Sequence, residues 1–152
     1  MYKPPFQSAP DEPPPLRHRI KRVVRFEEVD SMRIVWHGRY PAYFEEGRVA
    51  HGHKYGISYS DFIRRKCPVP IRQLRVDYLE PLCFEDEIEI ETILHWSDAA
   101  RMNFEYFIYK GQAIVCTGHT IQLMVDTRGG LLLTPPPFYR NFMEKWRKGL
   151  LT

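Results

Sequence analysis

Only one stretch of this 152-residue chain is patterned as a long helix, and five are patterned as strands. In residues 39–55, Tyr40, Tyr43, Phe44, Gly47 and Ala50 recur at helical spacing, so one face can be buried. Pro41 is tolerated in the first turn, Glu45 and Glu46 lie near the positive end, and Gly56 suits the stop. Gly47 costs roughly 1 kcal/mol of helix propensity, and its missing side chain lets another backbone approach closely. Strands are predicted over 19–27, 69–79, 86–94, 101–109 and 113–125. The clearest alternation sets Glu87, Glu89 and Glu91 against Ile88, Ile90 and Thr92. Met102, Phe104, Tyr106 and Ile108 share a face of the next strand. Val115, Ile121, Leu123 and Val125 share a face of the last. A short helical turn over 58–65 and an amphipathic helix carrying Phe138, Phe142 and Trp146 complete the pattern. One helix cannot cover both faces of such a sheet. The economical solution is an α+β domain whose antiparallel sheet wraps the helix and which pairs with a second copy.

Composition narrows the function. Hydrophobic residues are 43% of the chain and charged residues 27%, as in soluble globular proteins. No apolar run approaches the ~18 residues of a membrane span. Six of the thirteen prolines lie in the first fifteen residues, which read as a mobile or docked tail with little to bury. The expected organisation is a Pro-rich tail over 1–18, a main domain over 19–137 and a short C-terminal helix over 138–152. The net charge of +3 belongs to the two ends, because residues 26–137 carry twelve basic and sixteen acidic side chains. A nucleic-acid groove needs basic residues concentrated on the folded surface. Arg17, Arg19, Lys21 and Arg22 are therefore read as a solvated lead-in to the first strand, with no nucleic-acid partner. Cys67, Cys83 and Cys116 cannot all pair within one chain, and none sits at metal-ligand spacing. No secretory signal pattern is present, so a reducing, cytoplasmic compartment is expected.

The stretch from Val29 to Tyr40 concentrates the chemistry. Asp30 and His37 flank the apolar trio Ile34, Val35 and Trp36 just before the long helix starts. A helix N-terminus offers unpaired N–H groups and a positive dipole end, which can stabilise an oxyanion formed from a carbonyl. A carboxylate beside it can attack that carbonyl or activate water. The bland alternative is that Asp30 ends a strand and His37 bonds to its own backbone.

The stretch from Asp30 through Arg48 resembles the signature of the hotdog-fold acyl-CoA thioesterases of the 4-hydroxybenzoyl-CoA thioesterase class. Val76 to Leu82 with Glu85 to Ile88, and the segment from Gly118 to Leu133, resemble two further blocks of that family in the right order. The resemblance covers roughly residues 20–137. It implies a hotdog fold, an antiparallel β-sheet wrapped around one long central α-helix. The implied reaction is hydrolysis of an acyl-CoA thioester to free acid and coenzyme A. No metal or cofactor is implied, coenzyme A being part of the substrate. Asp30 matches the family's catalytic aspartate, as nucleophile or general base. His37 matches a position near the thioester carbonyl, and Tyr40 one that supports the acyl pocket. Ile34 and Trp36 are expected beside the acyl group. By the same resemblance, Arg72 or Arg75 could meet the nucleotide phosphates, against a plain reading as surface charge. A homodimer or homotetramer with sites between subunits is implied, with an acyl-carrier-protein thioester as an alternative substrate. The family usually has Gly at the position of Arg33, so Arg33 either projects outward or meets a polar acyl group or phosphate.

The remaining candidates read as structural. His51 and His53 are two apart and point to different faces of a helix. His95 at a strand end and His119 within a strand read as satisfied structural histidines, and Cys116 lies mid-strand without a convincing His partner. Two other functions share the fold pattern: a hydratase or dehydratase, whose Asp and His are separated by four residues where six lie between Asp30 and His37, and a non-catalytic acyl-thioester binding protein.

Overall fold

The computed structural model describes all 152 residues. Five antiparallel strands form one sheet: β1 (Leu16–Val23), β2 (Ile71–Tyr78), β3 (Glu87–His95), β4 (Arg101–Lys110) and β5 (Ala113–Leu123), in spatial order β1-β3-β4-β5-β2. The long helix α1 (Tyr40–Tyr55) lies across one face of it. A short helix, α2 (Tyr59–Arg64), and a C-terminal one, α3 (Pro137–Arg147), close one end. Gly56 stops α1 in the left-handed conformation at φ 72°, and Ser58 with Asp61 caps α2.

The period-two pattern lands on the sheet as expected for β3 and β4. Ile88, Ile90 and Leu94 join Phe104, Tyr106 and Ile108 in the core under α1. Phe44 stacks on Tyr106 with ring centroids 4.3 Å apart.

Two expectations about faces are corrected. On α1 the buried stripe runs through Tyr40, Tyr43, Phe44, Gly47, Arg48 and His51, while Ala50 belongs to the opposite groove with Ala42, Glu45, Glu46, Val49 and His53. The helical period favours it, and the polar side chains find partners: Arg48 donates to the Tyr59 and Tyr106 hydroxyls, and His51 Nε2 lies 3.0 Å from the Leu16 carbonyl, while His51 Nδ1 has none. Burial pushes the His51 pKa down to about 4 and keeps the ring neutral.

On β5 the helix-facing residues are Cys116, Gly118, Thr120 and Gln122 rather than the apolar set with Ile121 and Leu123. A bulge where Ile108 pairs Cys116 and Tyr109 pairs Ile114 leaves Val115 as the extra residue. Gly118 sits where the Phe44 ring presses closest, and Thr120 and Gln122 bond Tyr106 and Tyr59.

The first strand starts at Leu16, earlier than 19. The preceding proline-rich residues are docked on the outer face of the sheet. The Tyr2 hydroxyl donates to Glu105, and the Phe6 ring lies 5.3 Å from His95 and 5.6 Å from His119. Trp146 of α3 donates to the Pro14 carbonyl at 2.8 Å. A segment with two aromatic anchors has more to bury than its proline content suggests.

Candidate active site

The irregular stretch before α1 is a tight loop with a defined geometry. Val29 and Val35 form an antiparallel bridge, Asp30 N–H donates to Ile34 O at 2.9 Å, and Arg33 N–H donates to Asp30 O at 3.0 Å. Arg33 occupies the left-handed region at φ 66°, the bulge position after such a turn that favours glycine. A non-glycine residue there costs about 1–2 kcal/mol. The loop is held from both sides: Val35 N–H donates to Leu82 O at 2.8 Å, and Trp36 N–H to Glu28 O at 2.9 Å.

Asp30 Oδ1 accepts the Met32 N–H at 2.8 Å, which fixes the carboxylate and leaves Oδ2 without a protein partner. The chain then turns through a 3-10 segment, His37–Arg39, directly into α1. The first N–H groups of that combined helix have no partner within it. Asp30 and His37 line one cavity of about 390 Å³, with Met32, Ile34, Val35 and Tyr40 from the same stretch. Burial pushes the Tyr40 phenol up to about 12, so it stays protonated at neutral pH.

Of the residues singled out from sequence, Asp30, Ile34, His37 and Tyr40 thus meet at one cavity. Trp36 does not line it: its indole lies against the Cα of Gly38, leaving no room for a side chain there, and is half exposed beside His37. Arg72 and Arg75 are not at this cavity. Both are exposed on edge strand β2, and Arg75 pairs with Asp77 at 2.9 Å.

The far wall is built by Tyr78, Leu79, Glu80 and Pro81, none of them a candidate from sequence. The Tyr78 hydroxyl donates to the His37 carbonyl at 2.7 Å, and its ring meets Tyr40 edge-on at 5.0 Å. Tyr78 therefore holds the start of α1 against the end of β2. Glu80 adds a second carboxylate. The Glu-Pro break after β2 was the available signal for this wall.

Elsewhere no second reactive cluster is assembled. All three cysteines are free, and burial pushes the Cys116 thiol up to about 12. No group of three or more His, Cys, Asp or Glu is placed to hold a metal ion. No helix is long and apolar enough to cross a membrane.

A long helix cupped by a five-stranded antiparallel sheet is the hotdog arrangement. The chain belongs to the thioesterase-like superfamily, whose profile matches residues 24–145. It is 28% identical to the acyl-acyl carrier protein thioesterase ATL3 of Arabidopsis thaliana, over 86% of this chain and 70% of that one. Among solved structures, a hypothetical protein from Aquifex aeolicus is 26% identical with a TM-score of 0.75, covering 83% of this chain and 98% of that one. A DHNA-CoA thioesterase from Staphylococcus aureus has the same fold, with a TM-score of 0.78 at 20% identity over 87% and 91% of the two chains.

Proposed function

We propose that the protein hydrolyses an acyl-CoA thioester to the free acid and coenzyme A at the cavity beside Asp30. The observation that carries this reading is the shared cavity itself: a carboxylate with one oxygen free of protein partners lines the same cavity as His37 and Tyr40 at the start of α1. The thioester carbonyl carbon sits between them. The first N–H groups of the turn stabilise the oxyanion as it forms. Asp30 either takes the proton of an attacking water or attacks the carbon itself. In both routes the C–S bond breaks, the sulfur takes up a proton, and one water is consumed. A single turnover in ¹⁸O-water that leaves label in the Asp30 carboxylate establishes the nucleophilic route with water opening the anhydride at the aspartyl carbonyl, since general-base catalysis places label only in the product acid. The reaction needs no metal or redox cofactor, water being its co-reactant.

His37 lies beside the leaving thiol, and Tyr40 with Ile34 and Met32 packs the acyl group. We further propose a homo-oligomer, supported by the uncovered groove of α1 along Ala42, Glu45, Val49 and His53. The Arabidopsis relative's name makes a carrier-protein thioester the second substrate to try. The test is release of free thiol from an acyl-CoA panel, with enoyl-thioester absorbance followed in parallel. Thiol appearing in step with free acid supports hydrolysis. Loss of enoyl absorbance without thiol points to a hydratase, and binding without either reaction to a carrier module.

A further inference from the structure

We propose that Arg33 recognises the phosphate-bearing carrier portion of the substrate, an inference that rests on the thioesterase reading above. Three observations converge on it. First, the cavity carries the carboxylates of Asp30 and Glu80, and none of its lining residues is Lys or Arg. A polyanionic thioester approaching two carboxylates needs a compensating cation at the rim. Second, Arg33 stands between two lining residues, Met32 and Ile34, and its side chain is exposed.

Third, its guanidinium is uncommitted. Arg22 is bound by Glu28 and Glu46, Arg25 reaches Glu27, Arg75 is paired with Asp77, and Arg39 donates to the Glu27 carbonyl. Arg33 has no hydrogen-bond or ion-pair partner within the chain. The backbone makes this choice of residue informative. At φ 66° the loop would be most relaxed with glycine, and arginine is the residue whose planar fork matches phosphate oxygens. Strain retained at a substrate-facing loop points to a use for the side chain that causes it.

The proposal separates stability from binding, because the two should move in opposite directions. Arg33→Gly should melt higher by about 2–4 °C through relief of the backbone. The same variant should lose at least ~10-fold in kcat/KM for an acyl-CoA, mainly through KM, the scale of a lost charge-assisted contact. Its loss with the same acyl group on unphosphorylated pantetheine should be at least several-fold smaller. Arg33→Lys, which keeps the charge and the strain but loses the fork, should recover only part of the acyl-CoA activity.

An acyl-dephospho-CoA identifies the phosphate. A loss that persists with it assigns Arg33 to the phosphates shared with a carrier-protein arm, and a loss that disappears assigns it to the 3′-phosphate. Either result supports the proposal. Equal losses on the acyl-CoA and the acyl-pantetheine, or no loss on either, would overturn it. Titration of coenzyme A itself needs no turnover. If wild type hydrolyses none of these thioesters, the thioesterase reading fails, and weaker coenzyme A binding by Arg33→Gly still decides the role of Arg33.

Discussion

Glu28 stands two residues before Asp30 and anchors the loop that carries it. Its carboxylate accepts from the two terminal Arg22 guanidinium nitrogens at 2.6 Å and from the Arg25 N–H at 2.7 Å, while its carbonyl receives the Trp36 N–H. Burial opposes ionisation of Glu28, but the Arg22 hydrogen bonds, the Arg25 N–H and the Arg22 charge outweigh it and hold the carboxyl below its ordinary range. A carboxyl whose folded pKa is depressed contributes stability above its unfolded pKa, near 4.3, and loses it as pH falls through the folded value. Melting temperatures between pH 7 and pH 3 should therefore fall more steeply for wild type than for Glu28→Gln. Parallel curves would show that this ion pair does not respond to acid. At pH 7 the variant should be the less stable protein. Glu46 still faces Arg22, so the cost stays below the ~3–5 kcal/mol of a fully orphaned buried charge. Asp30, His37 and Tyr40 were legible because they lie within eleven consecutive residues. Tyr78, Glu80 and the Arg22–Glu28 pair were not, because each joins segments that only the tertiary fold brings together.

At the scale of elements, α1 sits on the sheet through two glycines. A side chain at Gly47 would run into the Thr92 hydroxyl and approach Ile90 Cγ2 to 3.0 Å. One at Gly118 would meet the Phe44 ring and, at 2.6 Å, the Arg75 carbonyl. Gly47→Leu gains up to ~1 kcal/mol in helix propensity and loses ~1–3 kcal/mol to overpacking. Its melting temperature should drop, and a stabilised variant would mean that α1 is not cupped by the sheet. Gly118→Ala should cost at least as much, since a backbone carbonyl cannot swing aside as the Thr92 side chain can. The helix and strand pattern was readable from period and turn residues, as in β3 and β4. The face of β5 was not, because a single bulge at Val115 changes the phase of every residue after it. The buried stripe of α1 was misread at Ala50 because apolarity outweighed period: Arg48 and His51 are buried instead, Arg48 on two tyrosine hydroxyls and His51 through Nε2 on the Leu16 carbonyl.

At the scale of the molecule, the sheet's outer face and the groove of α1 need cover. The docked N-terminal segment supplies part of the outer face's cover through Tyr2 and Phe6, and Pro14 ties it to α3. Removing residues 1–15 should lower the melting temperature by more than about 2–4 °C, corresponding to ~1 kcal/mol or more. An unchanged melt would show that these contacts contribute nothing. A second copy is expected to cover α1. Sedimentation at micromolar concentration should give a dimer or larger, and a stable monomer would count against a shared site.

The central claim is that Asp30 performs thioester hydrolysis on a fold that does not depend on it. Free-thiol release by Asp30→Asn beside wild type, with the melting temperature of each recorded, tests both halves at once. The account predicts a kcat lowered at least ~10²-fold, the scale of a lost nucleophile or general base, with the melting temperature preserved. Near wild-type turnover by a folded Asp30→Asn protein would contradict it and remove Asp30 from the chemistry.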